Sequence, residues 1–173
     1  MVLGPNDEAL LRTLMQNEHN TCLRFASASF NIKEVSRVCT HQLVRLAHCG
    51  LLQRSQRYCN DDGMGFYVPA ELEDDKYSSF FERSMELYKE AIQEGIPEEM
   101  ARYLLPGAVM SEINMTANFQ TWKHFLGIRL AKKVQLETRQ VAAEVCRQLY
   151  KIAPIVFEKD EHLRVEMATY GEL

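Results

Sequence analysis

Stretches of helical hydrophobic spacing dominate this sequence, and the few β-compatible runs between them do not alternate with helices in the regular series that a parallel sheet requires. Strands spaced in this way must pair largely antiparallel. The expected class is therefore α+β, a central antiparallel sheet flanked by helices. At 173 residues, 46% of them hydrophobic, the chain has the size of one globular domain with a substantial core, and residues 1–173 are read as that single domain. No internal repeat or low-complexity tract interrupts it.

Asn6 is placed as the cap of a first helix through Leu10, Leu11, Leu14 and Met15, broken at His19-Asn20-Thr21. The run Leu23 to Ile32 is rich in small and β-compatible residues and reads as a strand. From Lys33 to Ala47, Val35, Val38, Cys39, Gln42, Leu43 and Leu46 fall at helical spacing, with Gly50 as the stop, so that Gln42 and Arg45 share one face. Leu51 to Tyr58 reads as irregular. Tyr77 to Ala91 describes a long amphipathic helix ending near Gly95, and Pro97 opens a short helix that Pro106-Gly107 terminates. A strand is expected within Ala108 to Thr116, then a helix over Asn118 to Leu130, then another through Val134, Val141, Val145 and Leu149 that closes the domain before Pro154. Complete burial of the aromatic-rich helix Asn118 to Leu130 is expected to need a second subunit.

The charge balance, 20 Lys+Arg against 24 Asp+Glu, removes the global basic field that drives nonspecific nucleic-acid binding, and no helix carries a basic face. Any bound anion must be met by local arginines. The five cysteines, Cys22, Cys39, Cys49, Cys59 and Cys146, are odd in number and include no close CxxC pair, so neither a disulfide framework nor a zinc site is indicated. No apolar run approaches the ~20 residues that span a bilayer, and Met1 to Leu11 lacks a leader pattern. The expectation is a cytoplasmic protein with no membrane partner.

Three constellations carry chemistry. Gln42-x-x-Arg45 followed by Gln53-x-Ser55-Gln56-Arg57-Tyr58 concentrates guanidiniums and a hydroxyl, a donor set suited to phosphate. A solvated arginine-rich turn is the competing account. Arg102 of Ala101-Arg102-x-x-x-Pro106, taken by itself, reads as an arginine snorkelling at the margin of an amphipathic helix. Asn118, Gln120, Trp122, His124 and Arg129 lie in one helix with Gln135 beyond, and Asn118 and Arg129, eleven residues apart, fall on nearly the same face with Trp122 and Phe125 between them. Such an aromatic stripe with polar ends would hold a flat heterocycle; a core helix whose Arg129 serves its C-terminal carbonyls is the alternative. No HExxH, GxSxG or Gly-rich phosphate loop is present, and no cysteine sits in an activating local signature.

Taken in order, these constellations resemble the flavin-dependent thymidylate synthase family. The resemblance runs from about Glu18 to Glu137 and rests on Val35-Ser36-Arg37 with Thr40-His41-Gln42-Leu43-Val44-Arg45, on Ser55-Gln56-Arg57-Tyr58, on Ala101-Arg102 with Leu105-Pro106, and on Asn118 through Phe125 with Arg129 and Gln135. It implies a homotetramer with sites shared between subunits. It also implies transfer of a one-carbon unit from methylenetetrahydrofolate to uracil C5 of UMP or dUMP, with FAD as cofactor, NADPH as reductant and no cysteine nucleophile. Carried over by position, Gln42, Arg45, Gln53, Ser55, Gln56, Arg57 and Arg102 would hold the nucleotide. Arg129 would lie against the pyrimidine as the catalytic residue, and His19, Thr21, Arg45, Asn118, Gln120, His124 and Gln135 would contact the flavin.

The chain departs from the family pattern where the family reads Arg-His-Arg and this sequence reads Arg45-Leu46-Ala47. The family's Asn-x-Arg is Asn118-Phe119-Gln120 here, His124 replaces an expected Asn, and Gln53 replaces an acidic residue. Losing polar and cationic flavin contacts while keeping the nucleotide arginines resembles a specialised relative, a uracil-nucleotide methylase of the polyoxin-type antibiotic pathways acting on UMP as well as dUMP. The departures leave two other readings open, a non-catalytic flavin- or nucleotide-binding protein and hydroxymethylation at the same site.

Overall fold

The computed structural model describes residues 4–61, 63–69 and 75–169. They form two compact units: one comprises the chain up to Phe30, Leu46–Gly50 and everything from Met115 onward, and the other comprises Asn31–Arg45 and Leu51–Asn114. Strands β1 (Ser27–Ser36), β2 (Gly50–Gln53) and β3 (Met110–Asn118) each run from one unit into the other along the chain, and they form one sheet in the order β1-β3-β2. The pairing is antiparallel. Ser29 hydrogen-bonds Thr116 while Arg37, beyond the far end of β1, donates its backbone N–H to Val109, so numbers rise on β1 as they fall on β3. Gly50 lies against Thr116 and Arg54 N–H donates to the Glu112 carbonyl, which gives β2 the same sense relative to β3. The class is thus the expected α+β with a small antiparallel sheet.

The first unit contains α1 (Pro5–Gln16), a 3-10 helix (Asn20–Phe25), α5 (Phe119–Arg129), α6 (Leu136–Ile152) and α7 (Pro154–Thr169). Its interior is built on α5, whose Trp122, Phe125 and Leu126 are wholly buried, with Trp122 meeting Phe30 and Phe125 edge to face. The indole N–H is satisfied by the Ala28 carbonyl at 3.1 Å. Cys146 and Leu149 from α6 and Phe157 from α7 complete this interior. The side of α5 that carries Trp122, Phe125 and Leu126 is therefore buried within its own unit, while Ile128 on the same helix stays 38% exposed.

The second unit contains α2 (Arg37–Leu43), α3 (Asp75–Gln93), α4 (Glu98–Ala101) and a 3-10 helix continuing it (Arg102–Leu104). Tyr88, Ala91 and Ala101 pack together with Ile92 and Leu105 against them. Gly107 gives room for a close approach here: a Cβ at that position would stand 2.9 Å from Val38 Cγ2, which would have to shift, while Val38 N–H donates to the Gly107 carbonyl. At the end of α3, Gly95 takes φ +82, the left-handed turn that stops the helix.

Several element boundaries differ from the sequence reading. Asn6 lies inside α1, and Gly4 precedes it, its N–H bonded to Asp7 Oδ2 at 3.0 Å. Residues 20–25 are helical and the strand begins only at Ser27; Ala26, between the two, accepts from Phe119 N–H. The helix expected from Lys33 starts at Arg37: Val35 and Ser36 belong to β1, and Ser36 Oγ caps α2 by accepting from Cys39 N–H at 2.9 Å. Glu34, at φ 57, marks where the alternate burial of β1 breaks, the behaviour of a bulge. Gly50 opens β2 and is not a helix stop. Pro154 does not end the fold but starts α7, in the first turn, where no intrahelical bond uses the N–H that proline lacks.

Candidate active site

Most of the residues expected to hold a nucleotide belong to the second unit. Gln42 is half-buried on α2, but the helix ends at Leu43 and Arg45 is exposed in the turn beyond it, so the shared helical face expected for the pair is not formed. Gln53 closes β2, and its amide donates to Thr40 Oγ1 at 2.6 Å, which in turn donates to the Arg37 carbonyl. Ser55 and Gln56 are half-buried in the irregular segment after β2, where Ser55 Oγ accepts the Arg57 backbone N–H at 3.2 Å. Arg57 is exposed, lies over the Tyr58 ring, and donates from Nε to Glu99 Oε2 at 2.8 Å. Arg102 donates from Nε to the backbone carbonyl of the same Glu99 at 3.1 Å. One acidic residue of α4 thereby gathers the two arginines that the sequence placed in separate motifs.

Behind them stand groups that sequence reasoning did not assign to the site. Arg37 donates to the Arg54 carbonyl at 3.3 Å, and Arg54 pairs with Asp61 at 3.1 Å. The Asp61 side chain is 2% exposed, and its backbone N–H donates to Tyr88 Oη. Burial pushes the Arg37 guanidinium below its ordinary value; Asp61 acts the other way, and Arg102 adds to the depression. Arg37 and Arg54 adjoin the motif residues in sequence and were visible as arginines, but nothing local marked Asp61 as the partner of Arg54, or Glu99 as the partner of Arg57 and Arg102.

The residues expected to contact a flavin, apart from Arg45, belong to the first unit, as does Arg129. His19 and Thr21 are exposed at and within the 3-10 helix, His124 is exposed on α5, and Gln135 is exposed immediately before α6. Asn118 caps α5, its Oδ1 accepting from Thr121 N–H at 2.9 Å. Gln120 Oε1 accepts from Arg24 Nε at 2.7 Å, a pairing no motif indicated. Arg129 is the last residue of α5 and is half-buried. Trp122 and Phe125 are interior, so the aromatic stripe expected to seat a heterocycle is core packing.

Two clefts stand outside this set. One of about 200 Å³ in the first unit is lined by residues such as Arg12, Glu18, Lys123 and Lys159, and one of about 300 Å³ in the second by Lys33, Arg54, Ser111 and Glu112 among others. Neither takes in a residue that the sequence assigned to binding.

Three of the five thiols, Cys39, Cys49 and Cys146, are poorly suited to nucleophilic work. Cys39 and Cys146 are wholly buried, and burial, reinforced by Glu161 and Asp160, pushes the Cys146 thiol up to about 12. Burial also raises Cys49. Among the described residues no cluster of three or more His, Cys, Asp or Glu is arranged to hold a metal, and no helix is long and apolar enough to cross a membrane.

The sequence matches the family described as thymidylate synthase complementing protein over residues 4–155. Among curated relatives it is similar to a flavin-dependent thymidylate synthase of Pyrococcus abyssi, 36% identical over 161 residues that make up 86% of this chain and 66% of the relative. Proteins of the same name from Geobacter sulfurreducens and Corynebacterium efficiens are each 35% identical, over 86% of this chain and 67% and 68% of their own lengths. The chain thus spans about two thirds of the length of the relatives it matches.

Proposed function

The chain belongs to the thymidylate synthase complementing protein family, and from that premise we propose that it is an enzyme catalysing flavin-dependent C5-methylation of a uracil nucleotide. UMP, dUMP or both are the acceptors, methylenetetrahydrofolate is the one-carbon donor and NADPH the reductant. The observation that carries this reading is the meeting of Arg57 and Arg102 about Glu99, with Arg37 close enough to feel the charge of Arg102. Guanidiniums gathered from different segments suit a phosphate, which accepts their paired N–H donors better than any neutral ligand does. Gln42, Arg45, Gln53, Ser55 and Gln56 complete the nucleotide-binding set.

The surface groups of the first unit fit a flavin. His19, Thr21, Gln120, His124 and Gln135 present hydroxyl, amide and imidazole groups at exposed or half-exposed positions, the donor and acceptor types that the heteroatom edge and phosphates of FAD require. Asn118 contributes less, since its side-chain oxygen is spent on the helix cap. When bound, FAD supplies the redox chemistry, and the protein supplies orientation.

Within this reading Arg129 holds the pyrimidine and stabilises the negative charge that develops on the ring as C5 becomes nucleophilic, as oxyanion-hole donors do. The reaction needs no enzyme thiol, which agrees with the burial of Cys39 and Cys146. The protein is a homotetramer with sites shared between subunits and works in the cytoplasm.

A second reading draws on one observation: Leu46, at the position of a family histidine, is 4% exposed and turned to packing. A chain that has given up that contact binds flavin weakly or serves as a nucleotide-binding protein without turnover. Tritium release from C5-labelled UMP and dUMP, with FAD, NADPH and methylenetetrahydrofolate supplied and product mass recorded, separates the cases. Release with a methylated product is expected. A hydroxymethylated product would change the reaction assigned to the site, and nucleotide binding without release would leave only the binding protein.

A further inference from the structure

The 3-10 helix Asn20–Phe25 brings a cation to the position where the flavin motif has lost one. By the family resemblance Gln120 stands in place of the arginine of Asn-x-Arg, and Arg24, 96 residues earlier, donates from Nε to Gln120 Oε1 at 2.7 Å. The attachment is anchored by the backbone as well, since Phe119 N–H donates to the Ala26 carbonyl at 2.9 Å. Arg24 is exposed, and among the described residues its terminal amino groups make no other hydrogen bond or ion pair. With Nε fixed by the Gln120 amide, the outer edge of the guanidinium is a pre-oriented pair of donors, the geometry that recognises phosphate oxygens. Phe25 follows with a ring that is 90% exposed, an apolar surface adjoining the cation in sequence. Thr21, on the same short helix, and His124, one turn beyond Gln120 on α5, are residues already assigned to the flavin.

We propose that Arg24 is a flavin-binding residue of this chain, supplying to the diphosphate of FAD the guanidinium that position 120 lacks, with Gln120 as the residue that positions it. The proposal rests on the reading of the first unit as a flavin site. An arginine on the 3-10 helix keeps a cation beside Gln120, on a different segment from α5. The exposed guanidinium bears little on folding, so its removal is read in binding and not in stability.

The test is a titration of purified full-length protein with FAD and, separately, with riboflavin, followed by flavin fluorescence, for the parent, Arg24→Ala and the double variant Arg24→Ala with Gln120→Arg. The expected result is a rise in Kd for FAD of about ten-fold in Arg24→Ala, the size of one lost charge-assisted hydrogen bond. Riboflavin affinity should stay unchanged, and the double variant should recover most of the lost FAD affinity. Equal FAD binding by the parent and Arg24→Ala would overturn the role of Arg24 while leaving the flavin site standing. Equal loss for FAD and riboflavin would overturn the diphosphate assignment. A parent protein that binds no FAD would overturn the flavin reading itself, and this proposal with it.

Discussion

Arg57 is held by Glu99 across 42 residues of sequence, Nε to Oε2 at 2.8 Å, while the Glu99 backbone carbonyl accepts from Arg102. Both side chains of the pair are about half exposed, 53% and 47%, so the pair contributes at most ~1 kcal/mol to folding. Its consequence is placement. Arg57→Ala is expected to lower stability in urea by no more than ~1 kcal/mol and to raise the KM or Kd for UMP and dUMP by about ten-fold or more. Unchanged nucleotide affinity in a folded variant would remove Arg57 from the binding set.

Arg129 ends α5 with a half-buried guanidinium. Replacing it with Ala removes a cation from the last turn, a stability effect of ~0.3–1 kcal/mol, whereas loss of charge stabilisation at the pyrimidine is expected to lower kcat by ~100-fold or more. Single-turnover assays beside circular dichroism distinguish the two. Normal turnover would dismiss the catalytic role.

The Asp61 carboxylate is almost wholly buried, and its partner Arg54 is 28% exposed. Asp61→Ala leaves Arg54 without its anion next to Arg37, and the expected loss is ~2–3 kcal/mol, below the range for a fully buried pair because water reaches Arg54. Urea denaturation of the variant measures it; a loss under ~0.5 kcal/mol would show that the pair contributes little.

Cys146 predicts an alkaline limit. Its folded thiol is pushed up to about 12, chiefly by burial, against ~8.5 for an unfolded cysteine. A group with a raised folded value contributes stability that is fully present below the unfolded value and is lost as pH rises through the window between the two. The melting temperature should therefore fall between pH ~9 and ~12, and Cys146→Ala should flatten that fall. Parallel pH profiles for the two proteins would refute the assignment.

Sequence periodicity and local stereochemistry settled much of this protein. The helices α3, α5 and α6 follow from apolar residues at helical steps, the end of α3 from Gly95, and the start of α4 from Pro97, because each depends on residues within a turn of one another. The α+β class followed from the spacing of the β-compatible runs. The burial of Trp122 and Phe125 was one of two accounts open to an aromatic helix, and packing against Phe30 and the rest of its unit decided it.

Tertiary structure alone decided the boundary at Ser36, the helix after Pro154, and the partners of the charged side chains. A strand that pairs with β3 outcompetes the helical spacing of residues 33–36, and no local pattern records a pairing made across some seventy residues. The same holds for Arg24 with Gln120, Arg54 with Asp61, and Arg57 with Glu99. The sequence by itself determined which cations and amides the chain owns and on which elements most of them ride. Only folding determined which of them meet, because a hydrogen bond depends on distance in space and the chain's local preferences carry no information about that distance.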